Sequence, residues 1–459
     1  MSTAGRLVFA LASASVLLAA AGCDGGGSNE VKPFLVAFVP GTAEVVSVNL
    51  RRAADVAVED RFAVGAGFDG LVSAPPRVDG LVFDRETGTI GIVDLANLSA
   101  IRLAAILPGA APFEPDGAVA PAAGPFFLVH DADLSQFASV DALDPSSPVL
   151  GGEASLEGGA AGAVPDPLGA FVLLLPRGEP GSVAIYDFAS SKSPLRVLAS
   201  PVDGALAGLA FSRYSDDVAI AVDSDGTGVV TFGVAAAREG GPIEAGLVSL
   251  PGGDAPVAFA TFHASPTIVV AGASGTLYLV DAADPLLPVV VGAFDGRVAP
   301  ETPALDVAPD DSIVSIAGPS AGSLRFFELV GPGAAMPRLA GTFELGAEIG
   351  DAGFATGGNS AAWASRRLFY VATGGSALAI ADLSFDLGGA KLSPAIGYST
   401  LRSRVLYDSK RGAVLVGLDS SGRVIRYGLY DARGPEAITS EDLGFGSATS
   451  AVFLHFRKS

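Results

Sequence analysis

Cysteine, histidine and tryptophan are scarce in this chain of 459 residues, which has one cysteine, three histidines and one tryptophan. A single cysteine excludes a disulfide within the chain and a metal site built on paired cysteines. Charged residues make up only 17% of the sequence, and the net charge is −21. This balance excludes the cationic surface that nucleic-acid binding requires. Without a disulfide, a chain of this length must depend on its hydrophobic core for stability.

Long apolar runs are also missing, with one exception at the start of the chain. Arg6 precedes an apolar run from Leu7 to Ala21, which is followed by Gly22 and Cys23. A short positive segment, an apolar stretch and small residues are typical of a secretory signal peptide. The run of about 15 residues is shorter than the ~20 that span a bilayer, so a membrane-spanning helix is the weaker alternative.

The block Ala20-Ala21-Gly22-Cys23 resembles the bacterial lipobox, with Ala20 where that motif usually has Leu. The resemblance implies that residues 1–22 are removed and that Cys23 becomes a lipidated N-terminus. An ordinary secretory signal is the alternative. Residues 23–30 are rich in Gly and Ser and are expected to form a flexible tether. The expected location is the cell envelope, on its periplasmic or surface side, with the choice of membrane left open.

A repeated phrase marks the rest of the chain. It consists of a glycine turn, an apolar strand and a final acid, as in Gly275–Asp281, Gly88–Asp94 and Gly181–Asp187. Nine copies end at residues 49, 94, 141, 187, 233, 281, 328, 382 and 428. A period in the forties with several short strands in each unit is the signature of a β-propeller. Residues 31–459 are therefore predicted to form one all-β propeller of four-stranded blades.

The number of blades and the closure of the ring follow from the same pattern. The first unit begins at Phe34 with its second strand, and Thr449–Phe456 is a spare strand at the end. The C-terminal strand is therefore predicted to complete the first blade, which removes open sheet edges. Eight or nine blades are expected, since one unit that matches the repeat weakly is open to interpretation as an addition to the ring and not a blade. Two tandem all-β domains are the alternative fold.

These phrases resemble the LVIVD repeat of extracytoplasmic bacterial and archaeal proteins. The copy most similar to it is Leu277–Asp281, followed by the Asp-Pro-x-x-Pro loop at Asp284–Pro288. The resemblance implies a propeller with a surface or periplasmic role, and it implies no catalytic residues.

Histidines and acidic turns are the candidates for chemistry. His130 is predicted at a strand end, whereas His263 and His455 are predicted on inner strands, where the central channel would bring them together. The segment from Asp223 to Gly226 is similar to the first half of a calcium loop but lacks the downstream Glu. A simple hairpin turn is favoured there, and likewise at residues 131–133.

The turns into the repeated phrase and those into the inner strands are predicted to share one face of the ring. A rim on this face would bind a cation or a cationic ligand, although solvated turns are the simpler interpretation. Trp363, on a predicted inner strand, is a candidate for recognition at the channel mouth or for the core. The rim candidates are Asp84, Arg85, Asp203, Asp223, Asp225, Asp254, Asp295, Arg297, Glu301, Arg402, Arg404 and Ser420.

A binding or scaffolding module is the expected function, because no nucleophile elbow or phosphate loop is present. The expected partners are the membrane, through the lipid, and an envelope protein or a small ligand. No cofactor is predicted, although calcium or another divalent metal would fit the acidic rim. The alternative is a lactonase-like hydrolase with a metal in its central channel. Such an enzyme would need several Asp, Glu, Asn or His side chains around one ion.

Overall fold

The structure is a computed structural model made of antiparallel strands, which are numbered β1 to β35 in chain order. It describes residues 31–49, 58–65, 67–74, 77–179, 181–190, 194–199, 202–224, 226–296, 304–308, 310–318, 322–329, 337–344, 349–354, 369–374, 377–382, 403–409, 412–418, 423–429, 438–442, 448 and 450–458. Two short 3-10 helices, Ala235–Glu239 and Pro251–Gly253, are the helical elements within these residues.

Within the described residues the strands form nine sheets that follow one another along the chain, and each sheet is one blade. Blade 1 is built from both ends of the described chain, with β1 Val31–Val39, β2 Glu44–Asn49, β3 Val58–Ala63 and β35 Ser450–Lys458. In blades 2 to 9 the strands come in sequence from the inside of the ring to the outside. The inner strands are β4 Gly70–Val72, β8 Gly117–Val119, β12 Ala160–Pro165, β16 Leu206–Phe211, β20 Pro256–Thr261, β24 Ala304–Val307, β28 Ile349–Phe354 and β31 Ser403–Ser409.

The remaining strands complete the blades from the second to the fourth position, except that the described residues of blade 8 form three strands and no outer strand. The second strands are β5 Asp79–Asp84, β9 Phe126–His130, β13 Phe171–Pro176, β17 Val218–Asp223, β21 Thr267–Gly272, β25 Ile313–Gly318, β29 Phe369–Gly374 and β32 Gly412–Leu418. The third strands are β6 Thr89–Asp94, β10 Gln136–Asp141, β14 Ser182–Asp187, β18 Gly228–Gly233, β22 Thr276–Asp281, β26 Ser323–Glu328, β30 Ala377–Asp382 and β33 Val424–Leu429. The outer strands are β7 Arg102–Leu107, β11 Val149–Ser155, β15 Leu195–Ala199, β19 Glu244–Ser249, β23 Val289–Asp295, β27 Arg338–Glu344 and β34 Ile438–Asp442.

The fold is a β-propeller closed by its C-terminal strand, as the sequence predicts. β35 takes the inner position of blade 1 and pairs antiparallel with β1, from Val31 opposite Lys458 to Phe38 opposite Ser450. β35 also contacts β4, the inner strand of the next blade. The two ends of the described chain therefore share one sheet, which leaves no free edge at the junction of the ring.

The core lies between the faces of neighbouring blades. Strands β5, β13, β17 and β25 are buried along their whole length, which is why their sequences are apolar without alternation. One hydrophobic cluster, for example, joins Leu173 and Ile185 of blade 4 to Ala221 and Phe232 of blade 5. Similar clusters join each pair of neighbours from blade 1 to blade 8. Each large apolar side chain buried in this way contributes about 1.5–3 kcal/mol.

The inner strands are only half-buried because they line the axis of the ring, and small residues such as Ala207 and Ala258 make them narrow. Each inner strand runs from one face of the ring to the other. We call the face where inner strands begin the upper face; it also holds the turns between second and third strands. The opposite, lower face holds the turns between first and second and between third and fourth strands.

Candidate functional site

The predicted rim lies on the upper face, and its members differ in exposure. Asp203 and Asp295 are exposed, whereas Asp84 and Asp223 are buried at the ends of β5 and β17. The carboxylate of Asp84 accepts the backbone N–H groups of Glu86 and Thr87 at 2.9 and 3.2 Å and the Thr87 hydroxyl at 2.7 Å. Asp84 therefore holds its own turn together, a common function of Asp in hairpins.

Asp254 has a similar structural function within blade 6. Its carboxylate accepts the Ser274 backbone N–H at 2.9 Å and the Tyr278 hydroxyl at 3.0 Å. Partial burial would raise the pKa of Asp254, but the hydrogen bond from the Ser274 hydroxyl, together with these two, outweighs it and lowers the pKa below its usual range. The bonds join the loop that enters β20 to the turn between β21 and β22, so Asp254 is already engaged within its blade.

The hairpin interpretation of the two Asp-rich turns agrees with the structure. β17 and β18 pair directly across the turn that follows Asp223. In blade 3, the carboxylate of Asp131 accepts the backbone N–H groups of Ser135 and Gln136 at 2.7 and 3.2 Å. Partial burial alone would raise the pKa of Asp131, but these hydrogen bonds together outweigh the burial and lower the pKa. His130 ends β9, as expected.

The prediction that His263 lies on an inner strand is wrong. β20 ends at Thr261, and His263 lies two residues later in the turn on the lower face. The carboxylate of Asp311 causes this departure, because it accepts the backbone N–H groups of His263 and Ala264 at 2.7 and 2.6 Å. His263 is therefore at the opposite end of the inner strand from Asp254.

The structure describes the other predicted site residues in part or not at all. His455 is on the inner strand β35, as predicted. Arg404 is on β31, but its side chain is not described. The candidates outside the described residues are Cys23, Asp225, Arg297, Glu301, Trp363, Arg402 and Ser420.

A polar cluster that the sequence did not predict lies on the lower face around Arg213. Its guanidinium donates to Oδ1 of Asp306 on β24, through Nη1 and Nη2, both at 3.0 Å. Its Nη1 also lies 3.3 Å from Nε2 of His263. The second carboxylate oxygen of Asp306 accepts the Phe354 backbone N–H at 2.8 Å. The cluster thus connects four consecutive blades, from blade 5 to blade 8.

The electrostatics of this cluster keep His263 neutral. Partial burial, and then the positive charge of Arg213, lower the pKa of His263 below its usual value of 6.5. Asp311 and Asp306 act in the opposite direction but do not outweigh them. At neutral pH the imidazole is therefore uncharged and positioned beside a paired guanidinium.

A cavity of about 380 Å³ lies along the inner strands β16 and β20, with Arg213 in its wall. Its apolar lining includes Leu209, Phe211, Val257, Phe259 and Leu305. Cavities of about 300–1,000 Å³ with apolar walls and few polar groups are typical ligand sites. This cavity is therefore suited to the apolar body of a small ligand.

A bulge in β16 shapes the wall of this cavity. The pairing with β17 shifts between Ala207 and Ala210, and Gly208 in the bulge has a φ of +64°. A Cβ at Gly208 would lie 3.0 Å from the ring of Phe259. Glycine is therefore needed at this position both for the backbone conformation and for the close approach of the ring.

Two further arginines connect neighbouring blades on the lower face. Arg77 donates to Asp79 and to the backbone carbonyls of Gly124, Pro125 and Phe126 in blade 3. It also lies 4.0 Å from the ring centre of Phe127. Its side chain is 4% exposed, so the ion pair is almost free of water.

Arg238 of blade 5 has the same function toward blade 4. Its guanidinium lies 2.7 Å from the fully buried carboxylate of Asp166 and also binds Asp217. Burial would lower the pKa of Arg238, but the hydrogen bonds from Arg238 to Asp166 and Asp217 outweigh it and raise the pKa. The guanidinium of Arg238 is therefore charged throughout the physiological range.

Among the described residues, no group of three His, Cys, Asp or Glu side chains lies close enough to hold a metal ion. In the described part of the chain, no helix is long and apolar enough to cross a bilayer.

Comparison with known proteins shows similarity at the level of the fold. The sequence matches no protein-family model, and it has no significant match among curated proteins, so the LVIVD resemblance stays a prediction. Sqt1 of Saccharomyces cerevisiae superposes with a TM-score of 0.50 at 9% identity, over 76% of this chain and 91% of that chain. The β-propeller domain of Myceliophteria thermophila Cps50 gives 0.42 at 11% identity, over 67% and 94%. The periplasmic gluconolactonase of Pseudomonas aeruginosa gives 0.39 at 15% identity, over 69% and 96%.

Proposed function

We propose that this protein is an exported, lipid-anchored propeller that acts as a binding module at the cell envelope. The cavity beside β16 and β20 carries the binding part of the proposal. Its walls are apolar, and Arg213 is the one cation among the residues that line it. The ligand that fits this arrangement is a small molecule with an apolar body.

The ion pair of Arg213 restricts the choice of ligand. Asp306 already neutralises Arg213 at 3.0 Å. An anionic ligand would have to displace Asp306, at a cost in free energy. A neutral apolar ligand avoids that cost, so it is the class we expect.

Binding is tested with the neutral dye N-phenyl-1-naphthylamine, whose fluorescence rises in apolar sites. Ala258 lines the cavity on β20, so Ala258→Phe should fill it and weaken dye binding at least tenfold. The matched control is Gly162→Phe on the inner strand β12, where an added Cβ meets nothing within 4 Å. Equal dye binding by both variants, with both melting like the parent, would refute the cavity as the binding site.

The anchoring part of the proposal depends on the lipobox-like block that ends at Cys23. Cys23→Ser should move the protein from the membrane fraction to the soluble exported fraction. Ala20→Leu, which makes the block more like the usual lipobox, is the matched control and should leave the protein on the membrane. Membrane retention of Cys23→Ser would show that acylation is not the anchor.

A further inference from the structure

The two faces of the ring differ in exposed apolar side chains. Within the described residues, the large apolar side chains that are exposed lie either on outer strands or in turns of the lower face, and none of them lies in an upper-face turn. The lower-face members are Val78, Leu143, Leu168, Tyr214, Leu286 and Leu287. Leu143 and Leu287 are the most exposed, at 80% and 71%. These residues come from five successive blades, so they form a discontinuous apolar surface.

This surface includes an apolar crevice between two blades. A cavity of about 150 Å³ separates the turn that carries Tyr214 in blade 5 from Pro266 and Ala282 in blade 6. Single exposed apolar side chains are common, but their restriction to one set of turns, together with this crevice, makes the lower face a candidate for contact with a protein or a membrane. The point at which the chain enters the ring decides between a protein and a membrane.

The chain enters the ring at the lower face. β1 is the second strand of blade 1, so it begins on the lower face, where Val31 pairs with Lys458 at the end of β35. Cys23 precedes Val31 by eight residues, and a fully extended chain of that length reaches at most about 28 Å. A six-residue strand is itself about 20 Å long, before the turns at its ends are counted. A lipid on Cys23 can therefore reach a bilayer below the ring with ease, but above it only at full extension.

Charge does not explain a membrane contact at this face. The lower face also carries carboxylates, although many are paired with arginines, as in Asp94 with Arg102 and Glu328 with Arg338. Others are bound within their own turns, such as Asp141 and Asp284, which accept the N–H groups of Leu143 and Leu286. Contact with a bilayer must therefore come from the apolar side chains and not from attraction to anionic lipid.

We infer that the lower face lies against the surface of the lipid bilayer, with its exposed apolar turn residues in contact with the lipid and the acidic upper face directed away. The inference rests on the proposed acylation of Cys23. One lipid chain binds a membrane only marginally, and additional apolar contacts strengthen the attachment. The orientation leaves the upper face free for partners.

Single-cysteine labelling tests this orientation, because the chain has one cysteine and acylation would block it. Leu143→Cys and Leu287→Cys report on the lower face, and Asp203→Cys and Asp295→Cys are exposed controls on the upper face. Each thiol is labelled with the dye NBD, and the lipidated protein is bound to phosphatidylcholine vesicles that contain headgroup nitroxide lipids. We expect the lower-face labels to shift to the blue and to be quenched at least twofold more than the upper-face labels. Neither effect should increase when a quarter of the lipid is phosphatidylglycerol.

A second arm separates this inference from the proposal of acylation. The same labelled positions are placed in the Cys23→Ser chain, which is attached by an N-terminal hexahistidine tag to nickel-chelating lipids. Vesicle binding by the untagged Cys23→Ser chain equal to that of the Cys23 chain would overturn acylation as the anchor, whereas equal quenching of both faces in the tagged chain would overturn the orientation. A blue shift of Leu143→Cys or Leu287→Cys that grows with protein concentration without vesicles would instead identify a second copy as the occupant, and would also overturn it.

Discussion

The upper and lower faces of this propeller use polar side chains in different ways. On the upper face, Asp84, Asp131 and Asp254 accept hydrogen bonds from residues of their own blades. On the lower face, Arg77 and Arg238 reach from one blade to the next and are largely buried. The difference indicates that the lower face holds the blades together, while the upper turns need only maintain their own shape.

Ion pairs between blades also occur on the upper face, but they are exposed. Arg85 pairs with Asp116, and their side chains are 53% and 36% exposed. Exposed ion pairs contribute about 0–1 kcal/mol, whereas removal of one partner from a buried pair costs about 3–5 kcal/mol. The ion pairs between blades on the two faces therefore differ in their contribution to stability as well as in their geometry.

The largest effect is expected when the ring is opened. Deletion of residues 449–459 removes β35 and leaves β1 without its inner partner. The open ring would then depend on the lower-face arginines for its contacts between blades. Most of the about 5–15 kcal/mol that stabilises a typical domain should therefore be lost. Chemical denaturation measures the loss. A truncated protein that unfolds like the parent would show that terminal-strand closure is not needed.

A smaller but still large effect is expected at Arg77. Arg77→Met leaves Asp79 buried without its cation and three carbonyls without a donor, and it should cost about 3–5 kcal/mol. Arg85→Met on the upper face is the matched control and should cost less than about 1 kcal/mol. Urea denaturation of both variants checks the difference. Equal losses would remove the distinction between the faces.

The upper-face turns should give a moderate effect. Asp254→Asn weakens the hydrogen bonds from Ser274 and Tyr278, and each is worth about 0.5–1.5 kcal/mol. The loss should be confined to blade 6, which hydrogen exchange of residues 254–278 measures against the rest of the ring. Increased exchange in blades 5 and 7 as well would show that Asp254 also stabilises contacts between blades.

The smallest effect is expected in the dependence of stability on pH. The pKa of His263 is lower in the folded protein, so the unfolded chain binds more protons below about pH 6.5, and stability falls there as pH decreases. The pKa values of Asp131 and Asp254 are also lowered, so their stabilisation persists until the pH falls toward and below 3.8. Melting curves of His263→Gln should lose part of the decrease between pH 6.5 and 5. An unchanged pH profile would contradict the pKa direction at the lower face.

Much of the architecture could be predicted because it repeats along the chain. The phrase Gly275–Asp281 predicts β22, and the spare strand at Thr449–Phe456 predicts the closing strand β35. Hydrophobic period and turn chemistry act locally, so they are visible in the sequence.

The contacts between blades could not be predicted from this repetition. Arg213 and Asp306 are 93 residues apart and lie on different blades, so no local pattern connects them. Asp306 did carry a signal, since it is a charged residue within a short inner strand of otherwise apolar residues. His263 was misplaced for a related reason, because Asp311 from the next blade ends the regular pairing of its strand.

A pair of double-mutant cycles tests most directly the claim that the lower face joins the blades. The first cycle combines Arg238→Met with Asp166→Asn, and the second combines Arg85→Met with Asp116→Asn. The account predicts a coupling energy of about 1.5–3 kcal/mol for the buried pair and less than about 0.5 kcal/mol for the exposed pair. Coupling energies of equal size in the two cycles would contradict it.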